Sequence, residues 1–84
     1  MVATILRVLG TETSVNNTGS VLGNAKLVRV YNQNGSDVLV TVTNAAAAVT
    51  GTVTVKAGTV EYIAKAPTDS ISAATACKMV AVGF

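Results

Sequence analysis

Apolar and polar residues alternate along most of this chain. Val38, Val40 and Val42 interleave with Leu39, Thr41 and Thr43. Val53 and Val55 interleave with Thr52 and Thr54, and Val80 and Val82 lead to Phe84. A period of two carried by Val and Thr predicts pleated strands with one buried face. Turn chemistry divides the chain between these runs. Val2 to Leu9 is the first candidate strand, closed by Gly10. Residues 11–25 read as a polar loop, and Asn16, Asn17 and Gly19 within Thr11–Ser20 also suit an irregular edge strand. Lys26–Tyr31 and Asp37–Thr43 flank Asn34-Gly35, the strongest local hairpin signal in the chain, so Lys26–Thr43 is predicted to be a hairpin.

Ala45-Ala46-Ala47-Ala48 favours helix locally, yet four residues do not meet the cost of helix nucleation. A loop or a single turn is expected there. Thr52–Lys56 is the next strand, Ala57-Gly58 a tight turn, and Thr59–Ala66 a further strand ended by Pro67, which lacks a ladder donor. Asp69–Ser72 reads as a brief strand, Ala73–Ala76 as a loop or helical turn, and Lys78–Phe84 as the last strand. Six or seven short strands without a helix predict an all-β fold. The expected form is a single small antiparallel β-sandwich, Ig-like or jelly-roll-like, or a barrel.

One domain spans residues 1–84, with 26–84 as its main β unit and 1–10 as either a core strand or an assembly arm. The expected inward set is Val28, Val30, Val38, Val40, Val42, Val53, Val55, Val60, Tyr62, Val80 and Val82. Thr41, Thr43, Thr52, Thr54, Glu61 and Lys65 are expected on the opposite faces. Lys26, Lys56, Lys65 and Lys78 fall at strand ends, where lysine discourages edge-to-edge pairing.

Composition sharpens this picture. A chain of 84 residues buries only about 60% of its unfolded surface or a little more, and small scaffolds need an additional staple. One cysteine and no histidine rule out an internal disulfide and a structural zinc site built from these side chains. Oligomerisation or docking is the staple that remains. Half of the residues are hydrophobic and only 12% are charged, so the surface is short of charge. The net charge is +2, with Arg7, Lys26, Arg29, Lys56, Lys65 and Lys78 scattered singly, which is no electrostatic footprint for nucleic acid. MVATILRVLG lacks the basic region and small-residue cleavage site of a secretory signal. No apolar run approaches the roughly 20 residues of a membrane-spanning helix. A lone thiol suits a reducing cytoplasm.

Candidate chemistry is sparse. No histidine is present to act as general base or to activate Cys77, which reads as a small buried hydrophobe. Of the four acids, Asp37 and Asp69 sit beside turns, where Asp bonds backbone donors, and Glu61 falls on a solvated face; Glu12 stands alone. The glycines fall at turns or strand ends and form no phosphate cradle. Arg29 and Tyr31 share a strand face and read as cross-strand partners rather than a base-stacking platform. Thr68-Asp69-Ser70 offers too few oxygens for calcium. The expectation is a non-enzyme without metal, cofactor or small-molecule ligand.

Three regions point instead to assembly. They are the apolar N-terminal strand with Ile5, Leu6 and Leu9, the apolar loop tip with Ala46, Ala47 and Val49, and the terminal Phe84. Lys26-Leu27-Val28-Arg29-Val30-Tyr31-Asn32, Gly51–Val60, Ala64-Lys65-Ala66-Pro67-Thr68-Asp69-Ser70-Ile71 and Val80-Ala81-Val82-Gly83-Phe84 together carry a resemblance. Over roughly residues 26–84 the chain resembles the short β-rich structural proteins of tailed bacteriophages, particularly marine and cyanobacterial phages. The resemblance is one of style and assigns no functional residue. It implies a capsid decoration or cement protein on the virion surface, made in the host cytoplasm. Its partners would be the major capsid protein and copies of itself, a trimer suiting a capsid threefold axis, with no nucleic-acid or membrane partner. Two alternatives stay open: a tail, neck or fibre component that binds host glycans, and a small nucleic-acid-binding β-barrel.

Overall fold

A computed structural model describes residues 7–83. Among these residues, eight strands form two antiparallel sheets, so the fold is all-β and fits a small sandwich or barrel. The strands are β1 (Arg7–Val8), β2 (Thr13–Val15), β3 (Leu27–Tyr31), β4 (Val38–Thr43), β5 (Val49–Val55), β6 (Val60–Ala64), β7 (Ser70–Ala73) and β8 (Cys77–Gly83). The larger sheet runs β1-β8-β3-β6, with β2 also paired to β8. The smaller runs β5-β4-β7. Part of the 11–25 segment is therefore a short strand, β2, which agrees with the edge-strand alternative for Thr11–Ser20 rather than with the loop, and Val15 is buried in the core.

The predicted Lys26–Thr43 hairpin does not form. β3 pairs with β6 and β8, whereas β4 pairs with β5 and β7, so the 32–37 segment crosses from one sheet to the other. A two-residue type I′ turn needs positive φ at both central residues, and neither Asn34 nor Gly35 has it. What holds the crossing is Asn32, whose side chain is fully buried. Its Nδ2 donates to the carbonyls of Ser36 and Val55, both at 2.9 Å. Its Oδ1 accepts from the Asn34 backbone N–H at 3.0 Å and from Asn34 Nδ2 at 2.9 Å. Asn34 Nδ2 also donates to the Ala76 carbonyl ahead of β8. The Asn32 backbone bonds Gly58 and Thr59. One polar residue thus ties both sheets together and satisfies its own hydrogen-bonding capacity.

The other connections follow from local chemistry. Gly58 adopts a left-handed conformation in the Lys56–Thr59 turn, closed by a bond from the Thr59 N–H to the Lys56 carbonyl. This turn too crosses between sheets, and Asp37 Oδ1 caps it by accepting from the Ala57 N–H, a partner 20 residues away rather than a local one. Asp69 does bond locally, accepting from the Ala66 N–H. The Asn44–Ala48 loop closes the β4–β5 hairpin without helix. Asn44 Oδ1 accepts from the N–H groups of Ala46 and Ala48, and Ala47 takes the left-handed conformation at the tip.

Core residues come from the facing sides of both sheets. Val28, Val30, Cys77 and Met79 from the larger sheet meet Val38, Val40, Val55, Ile71 and Ala73 from the smaller. Of the expected inward valines, Val28, Val30, Val38, Val40 and Val55 are there, and Val42 packs against them. The others depart from expectation: Val80 and Val82 are buried on the opposite face of β8, because Met79 and Ala81 are the residues that register with inward Val30 and Val28. Tyr62 is 51% exposed and Val53 40% exposed. β6 is turned over relative to the predicted orientation. Register pairs Ile63 with core residue Val28 and Tyr62 with outward Arg29, so Ile63 packs on the core while Val60 and Tyr62 face away. Val53 does point inward, opposite Val40, but β5 is an edge strand and the larger sheet does not cover it fully.

Lys65 belongs to the overturned face of β6 and is buried rather than solvated. Its Nζ donates to the Val21 carbonyl at 2.9 Å, pinning the loop before β3. Burial pushes its ammonium pKa below the ordinary lysine value of 10.5, with Asp69 pulling the other way. The folded chain therefore holds this proton less tightly than the unfolded chain, and stability rises as pH climbs toward that ordinary value. Urea unfolding in an alkaline pH series checks this. Wild type is expected to gain stability relative to Lys65→Met as pH rises, and a pH-independent difference would contradict it.

Candidate functional site

The two ends of the sandwich differ. The end carrying the 32–37 crossing is sealed by the Asn32 network. At the opposite end β3, β5 and β7 begin and β4, β6 and β8 finish. Val8, Leu9, Val21 and Val49 are all exposed there, a concentration of large apolar side chains that single-domain surfaces normally avoid. A groove of about 740 Å³ opens at this end, lined mainly by Leu9, Leu22, Ala25, Leu27, Ala81 and Val82. Leu22 and Asn24 adopt left-handed backbone conformations on its rim.

The predicted assembly residues fall as follows. Leu9 is 60% exposed and its N–H donates to the Ala81 carbonyl, fixing it beside β8. Ala46 and Ala47 are exposed at the β4–β5 tip, and Val49 follows at 62% exposure. Leu9 and the alanine tip thus share one end of the molecule, on different sheets. Ile5, Leu6 and Phe84 lie outside the described residues.

A second surface adjoins the alanine tip. Neither β4, β5 nor β7 contains a charged residue. Register places Thr52, Thr41 and Ser72 in one cross-strand row on the outward face, with Thr43 and Ser70 in the next. Leu39 stands exposed in the row beyond, opposite Thr54. The face is therefore flat in chemistry: short hydroxyls, methyl groups and one leucine. Such a face desolvates at low cost because no ion has to be stripped of water. The alternating Thr residues announce one face of each strand; the joining of three strands into one uncharged sheet depends on pairings far apart in sequence.

The outward face of the larger sheet is different. Tyr62, Arg29 and Val80 lie in one row, and Val60, Tyr31 and Lys78 in the next. Arg29 Nη1 approaches Glu12 Oε2 at 3.4 Å, a partly exposed pair of small energetic weight. Val80 is buried on this side even though Met79 is buried on the other, because β8 lies between β3 and the β1/β2 edge. Cys77 is buried at the start of β8. Burial raises its thiol pKa, which disfavours the nucleophilic thiolate. Among the described residues, no group of three or more Cys, Asp or Glu side chains could hold a metal ion.

Comparison with protein-family models, curated proteins and solved structures finds no match for this chain.

Proposed function

We propose that this chain is a non-enzymatic virion structural protein, a capsid decoration protein of a tailed bacteriophage. It binds the outer capsid surface and stabilises contacts between capsomers. The observation that carries this reading is the uncharged outward face of β5-β4-β7, which ends at the exposed alanine tip and Val49. A small domain with such a surface gains stability by binding its folded form to a partner. The likeness of residues 26–84 to short phage structural proteins supplies the partner: the major capsid protein, in a lattice that presents many copies of one site. Electron microscopy of particles made with and without the protein tests the reading. Regular surface density is expected to disappear, and heads to lose contents at lower temperature. Unchanged heads with altered tails would overturn it.

A second reading rests on the larger sheet. Both tyrosines of the chain share an outward face with Arg29 and Lys78, an arrangement able to stack single-stranded bases. It ranks second because Glu12 already engages the Arg29 guanidinium. Titration with single-stranded DNA at low salt decides it, binding that falls steeply with salt being the supporting result.

A further inference from the structure

We infer that two copies of this chain pair through β5, in antiparallel register about a two-fold axis at Thr52, joining their smaller sheets into one of six strands.

An edge strand exposes unpaired backbone donors and acceptors, and proteins blunt such edges with charge, proline, shortness or a covering segment. The other edges here are blunted in these ways. β2 has only three residues, and β1 has two among the described residues. β6 carries Glu61 and runs into Lys65 and Pro67. β7 is covered by the 16–20 segment. Ser20 exchanges both backbone bonds with Ile71, the Ala73 N–H donates to the Asn16 carbonyl, and left-handed Gly19 lets the chain pass close to β7. β5 has none of these protections over most of its length. It is seven residues long, contains no charge and no proline, and pairs only with β4 among the described residues. The register step between Val42 and Thr43 leaves Thr50 as an extra residue of β5, so a bulge interrupts its Val49 end and leaves Gly51–Val55 regular.

The sequence of β5 also selects its occupant. Val49-Thr50-Gly51-Thr52-Val53-Thr54-Val55 reads nearly the same in both directions about Thr52. Antiparallel pairing centred there uses the regular stretch around Thr52 and ends at the Thr50 bulge. It sets Thr52 opposite Thr52 of the second copy and brings Thr54 to Thr50. Thr–Thr cross-strand pairs are favourable. Gly51 falls opposite Val53. A side chain built at Gly51 meets nothing within 4 Å, so the space beside it is open, and Val53 is an inward-facing residue left 40% exposed. The second copy fills that space and covers that valine, twice by symmetry. Lys56 of each copy falls toward Ala48 of the other, so no like charges meet. An isologous two-fold contact also closes on itself and leaves no free β5 edge for further growth.

The pairing goes beyond the capsid reading and stands whether or not a capsid is the partner. It does set two hydroxyl faces side by side in one sheet.

Native mass spectrometry across a concentration series tests it. Wild type is expected at twice the 8.4 kDa chain mass. Thr52→Lys places two ammonium groups on the axis and is expected to weaken dimerisation by at least about tenfold, with its far-UV spectrum unchanged. Leu39→Lys, on the outward face but away from the edge, is expected to stay dimeric. Should Thr52→Lys fail to fold, Thr54→Lys replaces it with the same expectation. Amide exchange in wild-type Val49–Val55 is expected to slow as concentration rises. A monomer at all concentrations, a trimer, or a dimer indifferent to these lysines would overturn the inference.

Discussion

Asn32→Ala is expected to destabilise the fold by about 3 kcal/mol or more, the cost of leaving several buried polar groups without partners. The Ser36 and Val55 carbonyls lose their donor, and Asn34 loses the acceptor for both its backbone and its side-chain N–H. A domain of this size has a total stability of only some 4–12 kcal/mol. At roughly 4–8 °C per kcal/mol, the melting temperature should fall by about 15 °C. Asn34→Ala, which spares the two bonds from Asn32 to Ser36 and Val55, is expected to cost less. Asn32→Asp keeps the shape but turns donors into a carboxylate facing two carbonyls. Its folded-state pKa is therefore raised above the ordinary value near 4, so this variant should weaken further as pH rises above that value. Thermal melts of the three variants at pH 4 and pH 7 check the series. Equal melting of Asn32→Ala and wild type would show that the crossing is not held by this network.

Ile71→Ala is expected to cost about 3–4 kcal/mol, in the range measured for large-to-small changes at fully buried aliphatic sites. Ile71 is 0% exposed and sits on β7 between the covering segment and β4. Val53→Ala provides the contrast: its side chain is partly exposed on β5, and the monomer should lose less than about 1 kcal/mol. The comparison is best made with the Thr52→Lys edge blocked in both backgrounds, so that dimer effects cancel. Near-equal losses would contradict the observed packing of the smaller sheet.

These two residues also mark where the sequence was legible and where it was not. Alternation in Lys26–Tyr31 and Val38–Thr43 predicted strands with Val28, Val30, Val38 and Val40 inside, and all four are in the core. An all-β chain with turns at Ala57-Gly58 and after Asn44 was readable from turn chemistry and β-branched runs, but the strand expected from Thr52 begins at Val49, so Val49 belongs to β5 rather than to the loop tip. Pairing was not. Asn34-Gly35 carries a strong local hairpin preference, yet the buried amide of Asn32 holds the six-residue 32–37 segment as a crossing between sheets. A polar residue gives no sequence sign that it will be buried. Alternation in β6 fixes two faces but not which one is inward. Val60 and Tyr62 outweigh Ile63 in apolar character, and tertiary pairing with Val28 decides for Ile63. For β5, Val53 is inward by parity yet exposed by position, because edge status depends on strand order.

The candidate surfaces were legible in the same measure. Ala46, Ala47, Val49 and Leu9 stood out as apolar residues in places where loops and ends are normally polar, and each is exposed. The row of Thr52, Thr41 and Ser72 joins residues 31 positions apart, a juxtaposition that only the β4–β7 pairing creates.

Thr41 lies at the centre of the uncharged face, on the middle strand between Thr52 of β5 and Ser72 of β7. Binding of the purified chain to phage heads that lack it therefore tests the central claim directly. Wild type is expected to saturate the heads at a fixed ratio to the major capsid protein. Thr41→Lys, with its melting temperature retained, is expected to leave them bare. Equal binding by Thr41→Lys, or attachment of wild type to tails alone, would contradict the account.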